Sequence, residues 1–76
     1  MSKYEGILAR IEDHKSLGFC NKGTRAYFLR KGWDYEQYRR EGIPAQLLAD
    51  DAHPYSREIA EQAYKRVQKE RKLIGG

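Results

Sequence analysis

Apolar residues recur along this chain at helical spacing, and Gly6, Gly18, Gly23, Gly32 and Gly42 interrupt them. Tyr4, Ile7, Leu8 and Ile11 keep that spacing. Ser2-Lys3-Tyr4-Glu5 has the form of a capping box, in which a hydroxyl and a carboxylate reciprocally satisfy free backbone N–H groups. The pattern predicts a first helix that stops at Gly18, frayed at its start because Gly6 costs up to about 1 kcal/mol relative to alanine, and firmer from Ile11 to Leu17. A strand over residues 6–10 is the weaker reading, since a lone strand lacks a partner.

Asn21 is placed to cap a second helix running from Lys22 to Lys31, with Gly32 as the left-handed residue that ends it. Gly23, in its first turn, leaves room for another backbone. Tyr27, Phe28 and Leu29 are consecutive and span about 200° at ~3.6 residues per turn, so this helix is expected to be central and contacted on two sides. At the next junction Asp34 is the cap and Gln37 its answering residue, while Trp33 is expected to staple onto Tyr38. A short third helix should stop at Gly42, with Ile43 folding back.

Pro44 suits the first position of a fourth helix, Pro44 to Ala49, which brings Leu47 and Leu48 to the core. Residues 50–54 read as a turn. A long helix follows from Ser56 with the stripe Ile59, Ala60, Ala63, Tyr64 and Val67, and Glu61 with Lys65 as an i,i+4 pair. After Val67 little remains to bury, so residues 68–76 are expected to project or fray. The prediction is an all-α fold: one compact domain over residues 1–76, four to five short helices with a longer C-terminal one. Its expected core is Phe19, Cys20, Tyr27, Phe28, Leu29, Trp33, Tyr38, Ile43, Leu47, Leu48, Ile59, Ala63 and Val67.

Composition narrows what such a domain does. A chain of 76 residues buries only about 60% of its unfolded surface, which leaves little room for a catalytic cleft with its own supporting shell. One cysteine cannot close an internal disulfide, no apolar run approaches the ~18 residues of a membrane span, and no signal-peptide pattern opens the sequence. A cytoplasmic protein without membrane association is expected. The net charge of +4 favours polyanionic partners without demanding them.

No residue set commits to chemistry. Cys20 precedes a predicted helix N-terminus with Lys22 and Arg25 nearby, which favours a thiolate, but no base or orienting group accompanies it, and a small residue wedged under the helix is the preferred reading. His14 and His53 have no second ligand at metal-site spacing, and the adjacent Asp50 and Asp51 suit helix termination better than proton sharing. The expectation is therefore no enzyme activity, metal or cofactor. Arg25 is read as a structural arginine with a buried stem that reaches the carbonyls ending another helix.

The basic residues support two readings. Arg30, Lys31, Arg39 and Arg40, interleaved with aromatics across a glycine turn, outline a helix-turn-helix, and Lys65, Lys69 and Lys72 on the last helix add to a possible nucleic-acid surface. Against this, Phe28 sits where such motifs keep a small residue, and the would-be recognition helix carries Glu36 and Glu41. A protein interface anchored by exposed members of the set Tyr4, Tyr35, Tyr55 and Tyr64 is the preferred alternative. Self-association through the C-terminal helix is a weaker third.

Gly18-Phe19-Cys20-x-x-Gly23-x-Arg25-Ala26-Tyr27-Phe28, then Gly32-Trp33-Asp34 and Gly42-Ile43-Pro44-Ala45, resembles a family of small proteins encoded in tailed-phage and prophage genomes. The likeness covers roughly residues 11–52. Members of that family have no assigned activity, so it implies a phage setting and no mechanism; the preferred function is a non-enzymatic phage accessory protein that binds a protein partner, either a host factor or a virion component. This chain departs from the family pattern at Asp50-Asp51-Ala52, where Gly-Asp-Ala is common, and in its longer, more charged last helix.

Overall fold

Gly6 does not sit inside a helix. In the computed structural model, which describes residues 3–75, it has a φ of +78° and closes a turn, after which the chain runs extended as β1 (Leu8–Ala9). The remaining elements are α1 (Ile11–Ser16), α2 (Asn21–Lys31), α3 (Tyr35–Arg40), β2 (Ile43–Pro44), α4 (Ala45–Ala49) and α5 (Pro54–Gly75). The all-helical expectation holds in its main lines, with a two-residue antiparallel ladder added.

That ladder pairs Leu8 with Pro44 and Ala9 with Ile43, so the strand has the partner that its sequence neighbourhood lacks. The predicted helix through Tyr4, Ile7 and Leu8 is thereby corrected: Ile7 and Ala9 are buried, whereas Leu8 points outward at 40% exposure, an alternation of period two. The Ser2 half of the predicted capping box lies outside the described residues. Arg10 precedes the first helix, and the Asp13 carboxylate caps it by accepting the Arg10 N–H at 2.8 Å.

Helix ends follow the glycines. Phe19 N–H bonds to His14 O and Gly18 N–H to Lys15 O, and Trp33 N–H to Phe28 O and Gly32 N–H to Leu29 O, the paired bonds of a Schellman ending in both cases. Gly42 is required twice over. Its φ is +89°, and a Cβ there would lie 2.9 Å from Ala9 O, so the ladder passes over a position open only to glycine.

Helix starts shift by one or two residues from expectation. Cys20, not Asn21, caps α2: its Sγ accepts the Gly23 N–H at 3.2 Å, and the side chain is exposed instead of wedged in the core. A Cβ on Gly23 would meet that sulfur at 3.0 Å, so the close neighbour is a side chain and not another backbone. Asp34 caps α3 through Gln37 N–H as predicted, but Trp33 packs edge-on to Tyr27 and Phe28, and Tyr35 is the ring beside Tyr38. Pro44 is the cap of α4, and α5 begins at Pro54, two residues earlier than read.

The core is Ile7, Ala9, Tyr27, Phe28, Tyr38, Ile43, Ala45, Leu48, Ile59, Ala60 and Ala63. α5 forms its back wall, packing on α4, α1 and β1. Phe19, Trp33 and Val67 are only partly covered, and Leu29 and Leu47, both predicted inside, are 80% and 41% exposed. No helix among the described residues is long and apolar enough to cross a membrane.

Polar groups tie the layers together. The Arg66 guanidinium donates to Asp13 Oδ1 at 2.8 Å and to Leu8 O at 2.9 Å, fixing α5 to both α1 and β1. His14 is fully buried, with Nδ1 2.8 Å from the Tyr38 hydroxyl and Nε2 2.7 Å from Asn21 Oδ1. Tyr38 donates its own proton to Arg10 O at 2.7 Å. Burial pushes the His14 pKa below its usual 6.5.

Candidate functional site

Leu29 is the clearest anomaly on the surface, and its position follows from α2. Thr24, Tyr27 and Phe28 face inward and are buried, while Lys22, Arg25 and Leu29, spaced by three and four residues, share the opposite side. The three consecutive apolar residues therefore do not all find cover: packing reaches Tyr27 and Phe28 and ends before Leu29. α2 packs on both α1 and α3, as a helix contacted on two sides should, but Leu29 is left outside that cover.

The Schellman turn at Gly32 brings α3 back beside α2. Trp33 lies edge-on to Phe28 with ring centroids 5.4 Å apart, and Tyr35 edge-on to the same ring at 5.8 Å. Between the helices a groove of about 350 Å³ opens, lined by Arg25, Leu29, Trp33, Asp34, Tyr35 and Glu36. It adjoins a second depression of about 400 Å³ that shares Arg25, Tyr35 and Glu36 and adds Asn21, Lys22 and Arg39.

Charge is unevenly balanced along this surface. Glu36 pairs with Arg39 at 2.8 Å, and Asp34 is engaged by the Gln37 N–H at 3.1 Å. Among the described residues Lys22 and Arg25 have no ion-pair partner, and both side chains are exposed. Arg25 is thus not the buried structural arginine of the sequence reading. Arg66 holds that role. The bond to Arg39 keeps the Glu36 carboxyl below its ordinary range, with Arg25 and Arg40 adding to the same field.

The other sequence-derived candidates scatter. Lys31 pairs with Asp51 at 2.9 Å and lies over the Trp33 ring, and Arg30 lies over Tyr27. Arg40 is exposed at the end of α3. Lys65 and Lys69 border a separate depression between α5 and α1, beside Glu12, Asp13 and Arg66, and Lys72 is exposed further along α5. The Glu61 carboxylate turns away from the predicted Lys65 pair to Lys3 at 2.8 Å and the Tyr4 hydroxyl at 2.7 Å.

All four candidate tyrosines are half-buried. Tyr4 and Tyr64 meet edge to face beneath Lys3, and Tyr55 stacks on Phe19 while its hydroxyl donates to Thr24 Oγ1, whose own proton goes to Cys20 O. Of the set, only Tyr35 lines the groove beside Leu29. Asp51, read as half of an acidic pair, is instead a hub: Ser56 donates to it at 2.6 Å, Lys31 at 2.9 Å and Tyr27 at 2.8 Å, which together hold its carboxyl well below the usual range.

Among the described residues no three His, Cys, Asp or Glu side chains gather as metal ligands. Comparison of the chain with known protein families, with curated proteins and with solved structures finds no match.

Proposed function

We propose that this chain is a non-enzymatic accessory protein of phage type that acts in the host cytoplasm by binding a protein partner through the α2–α3 face. One observation carries the reading: Leu29 stands 80% exposed beside half-buried Trp33 and Tyr35, in a domain that covers most of its other large apolar residues. An exposed aliphatic beside two half-buried aromatic rings, edged by Arg25, Asp34 and Glu36, has the apolar centre and polar rim of a protein-binding patch. The phage setting rests on the sequence resemblance alone.

A nucleic-acid surface built from Arg30, Lys31, Arg39 and Arg40 is the alternative. It is disfavoured because Lys31 and Arg39 are engaged by Asp51 and Glu36, and because Lys65 and Lys69 border a different depression. The discriminating experiment places a photo-crosslinking residue at position 29, with a control at the exposed Arg71, in cells of the source. A single protein adduct specific to position 29 is expected. A nuclease-sensitive adduct in its place, with salt-sensitive DNA or RNA binding by the purified protein, would refute the proposal.

A further inference from the structure

We infer that the occupant of the α2–α3 groove is an acidic peptide segment carrying one bulky apolar side chain, an inference that rests on the protein-binding reading above. The groove has two ends of different chemistry. Leu29, Trp33 and Tyr35 form an apolar end, and Lys22 and Arg25 form a cationic end that makes no ion pair among the described residues, the nearby Glu36 carboxylate being bonded to Arg39. A ligand that satisfies both must join an apolar anchor to negative charge.

The spacing follows from the helix. At ~1.5 Å per residue, Leu29 stands about 6 Å along α2 from Arg25 and about 10 Å from Lys22. An extended chain covers those distances in about two and three residues. The recognised segment therefore places carboxylates two and three positions from its anchor.

Asp34 borders the apolar end and Glu36 lies between the two ends, and these carboxylates decide between polyanions. A nucleic-acid strand has a phosphate at every step, and would run some of them against these two carboxylates. A peptide confines its charge to the Lys22 and Arg25 end. The Trp33 and Tyr35 rings are also already engaged with Phe28, which leaves them as walls for an aliphatic or aromatic anchor better than as free stacking platforms for successive bases.

The test uses the full chain and labelled peptides of the pattern Gly-Ser-Glu-Glu-Ser-Phe-Ser-Gly and its reverse, read by fluorescence anisotropy and by emission of Trp33, the only tryptophan. At least one direction is expected to bind and shift Trp33 emission. Leu29→Ser and Arg25→Glu should each weaken binding roughly tenfold or more, the loss typical of a central contact, while leaving the thermal melt unchanged. Lysine in place of both glutamates should abolish binding to the natural chain and restore it to the Lys22→Glu, Arg25→Glu variant.

Equal affinity for the acidic and basic peptides, no effect of Leu29→Ser, or no binding in either direction would overturn the inference. Preferential binding of a single-stranded oligonucleotide, competing with the peptide, would overturn it as well. Failure of the peptides together with a single protein adduct at position 29 would leave the protein-binding reading standing and remove only the acidic-segment chemistry.

Discussion

Replacing Arg66 with alanine should cost more stability than any other substitution on the outer half of α5. The Asp13 carboxylate that it leaves behind is 1% exposed and keeps only the Arg10 N–H, while Leu8 O loses its guanidinium donor. Two unit charges about 4 Å apart attract by about 4 kcal/mol at an effective dielectric of ~20. Stranding one member of a buried pair costs about 3–5 kcal/mol. Arg66 retains 18% of its side-chain exposure, so water can reach the gap and the lower end, about 3 kcal/mol, applies. At roughly 0.05–0.15 kcal/mol per residue the whole domain is stable by about 4–11 kcal/mol. The variant therefore sits near the edge of folding, with Tm down by about 12–24 °C. Urea unfolding followed by circular dichroism and Trp33 fluorescence measures this. The double variant Asp13→Asn, Arg66→Met, which removes both charges, should recover at least ~1 kcal/mol relative to Arg66→Ala. A loss below ~1 kcal/mol for Arg66→Ala, or a double variant that simply sums two losses, would refute the view that this pair fixes α5 to α1.

Gly42→Ala forces a side chain into a left-handed backbone and against Ala9 O at 2.9 Å, and should cost about 2 kcal/mol or more, with amide exchange accelerating first at Ala9 and Ile43. Stability should also fall with acid. Because the folded chain holds His14 below its usual 6.5, the unfolded chain binds more protons, so the His14 contribution is complete above pH 6.5 and is lost as pH falls toward the folded value. The slope in urea titrations approaches ~1.4 kcal/mol per pH unit at most, and a flat profile from pH 7.5 to 5 would contradict the buried neutral ring. Asp51, also shifted downward, adds a further loss below its usual 3.8. Leu29→Ala, at 80% exposure, should change stability by no more than about 0.5 kcal/mol, and a loss above ~1.5 kcal/mol would place Leu29 in the core.

Local signals in the sequence were the informative ones. Gly18, Gly32 and Gly42 end three helices because each needs a left-handed residue, and the Asp34 cap is written in its own neighbourhood. What the sequence hides depends on distant partners. Residues 6–10 read as helix because two strand residues leave no periodicity, and their partner, Ile43–Pro44, is itself disguised as a helix start. Asp13, Thr24 and Ser56 are polar by type yet buried, each satisfied by a residue far along the chain: Arg66, Tyr55 and Tyr27. The groove was half legible. A span of three adjacent apolar residues signals that one is left over, but only the packing of α3 on Phe28 decides that it is Leu29.

The division of labour within α2 has a consequence for how this protein changes over time. Its inward residues, Thr24, Tyr27 and Phe28, are bound into ring packing and hydroxyl bonds, whereas Lys22, Arg25 and Leu29 carry no structural duty comparable to theirs. On the binding reading proposed above, substitutions at those three outward positions alter what the surface recognises at almost no expense in foldability. Drift to a new partner is thus open to single mutations, on a scaffold whose stability they leave untouched, and a lineage in conflict with a changing target would be expected to vary here first.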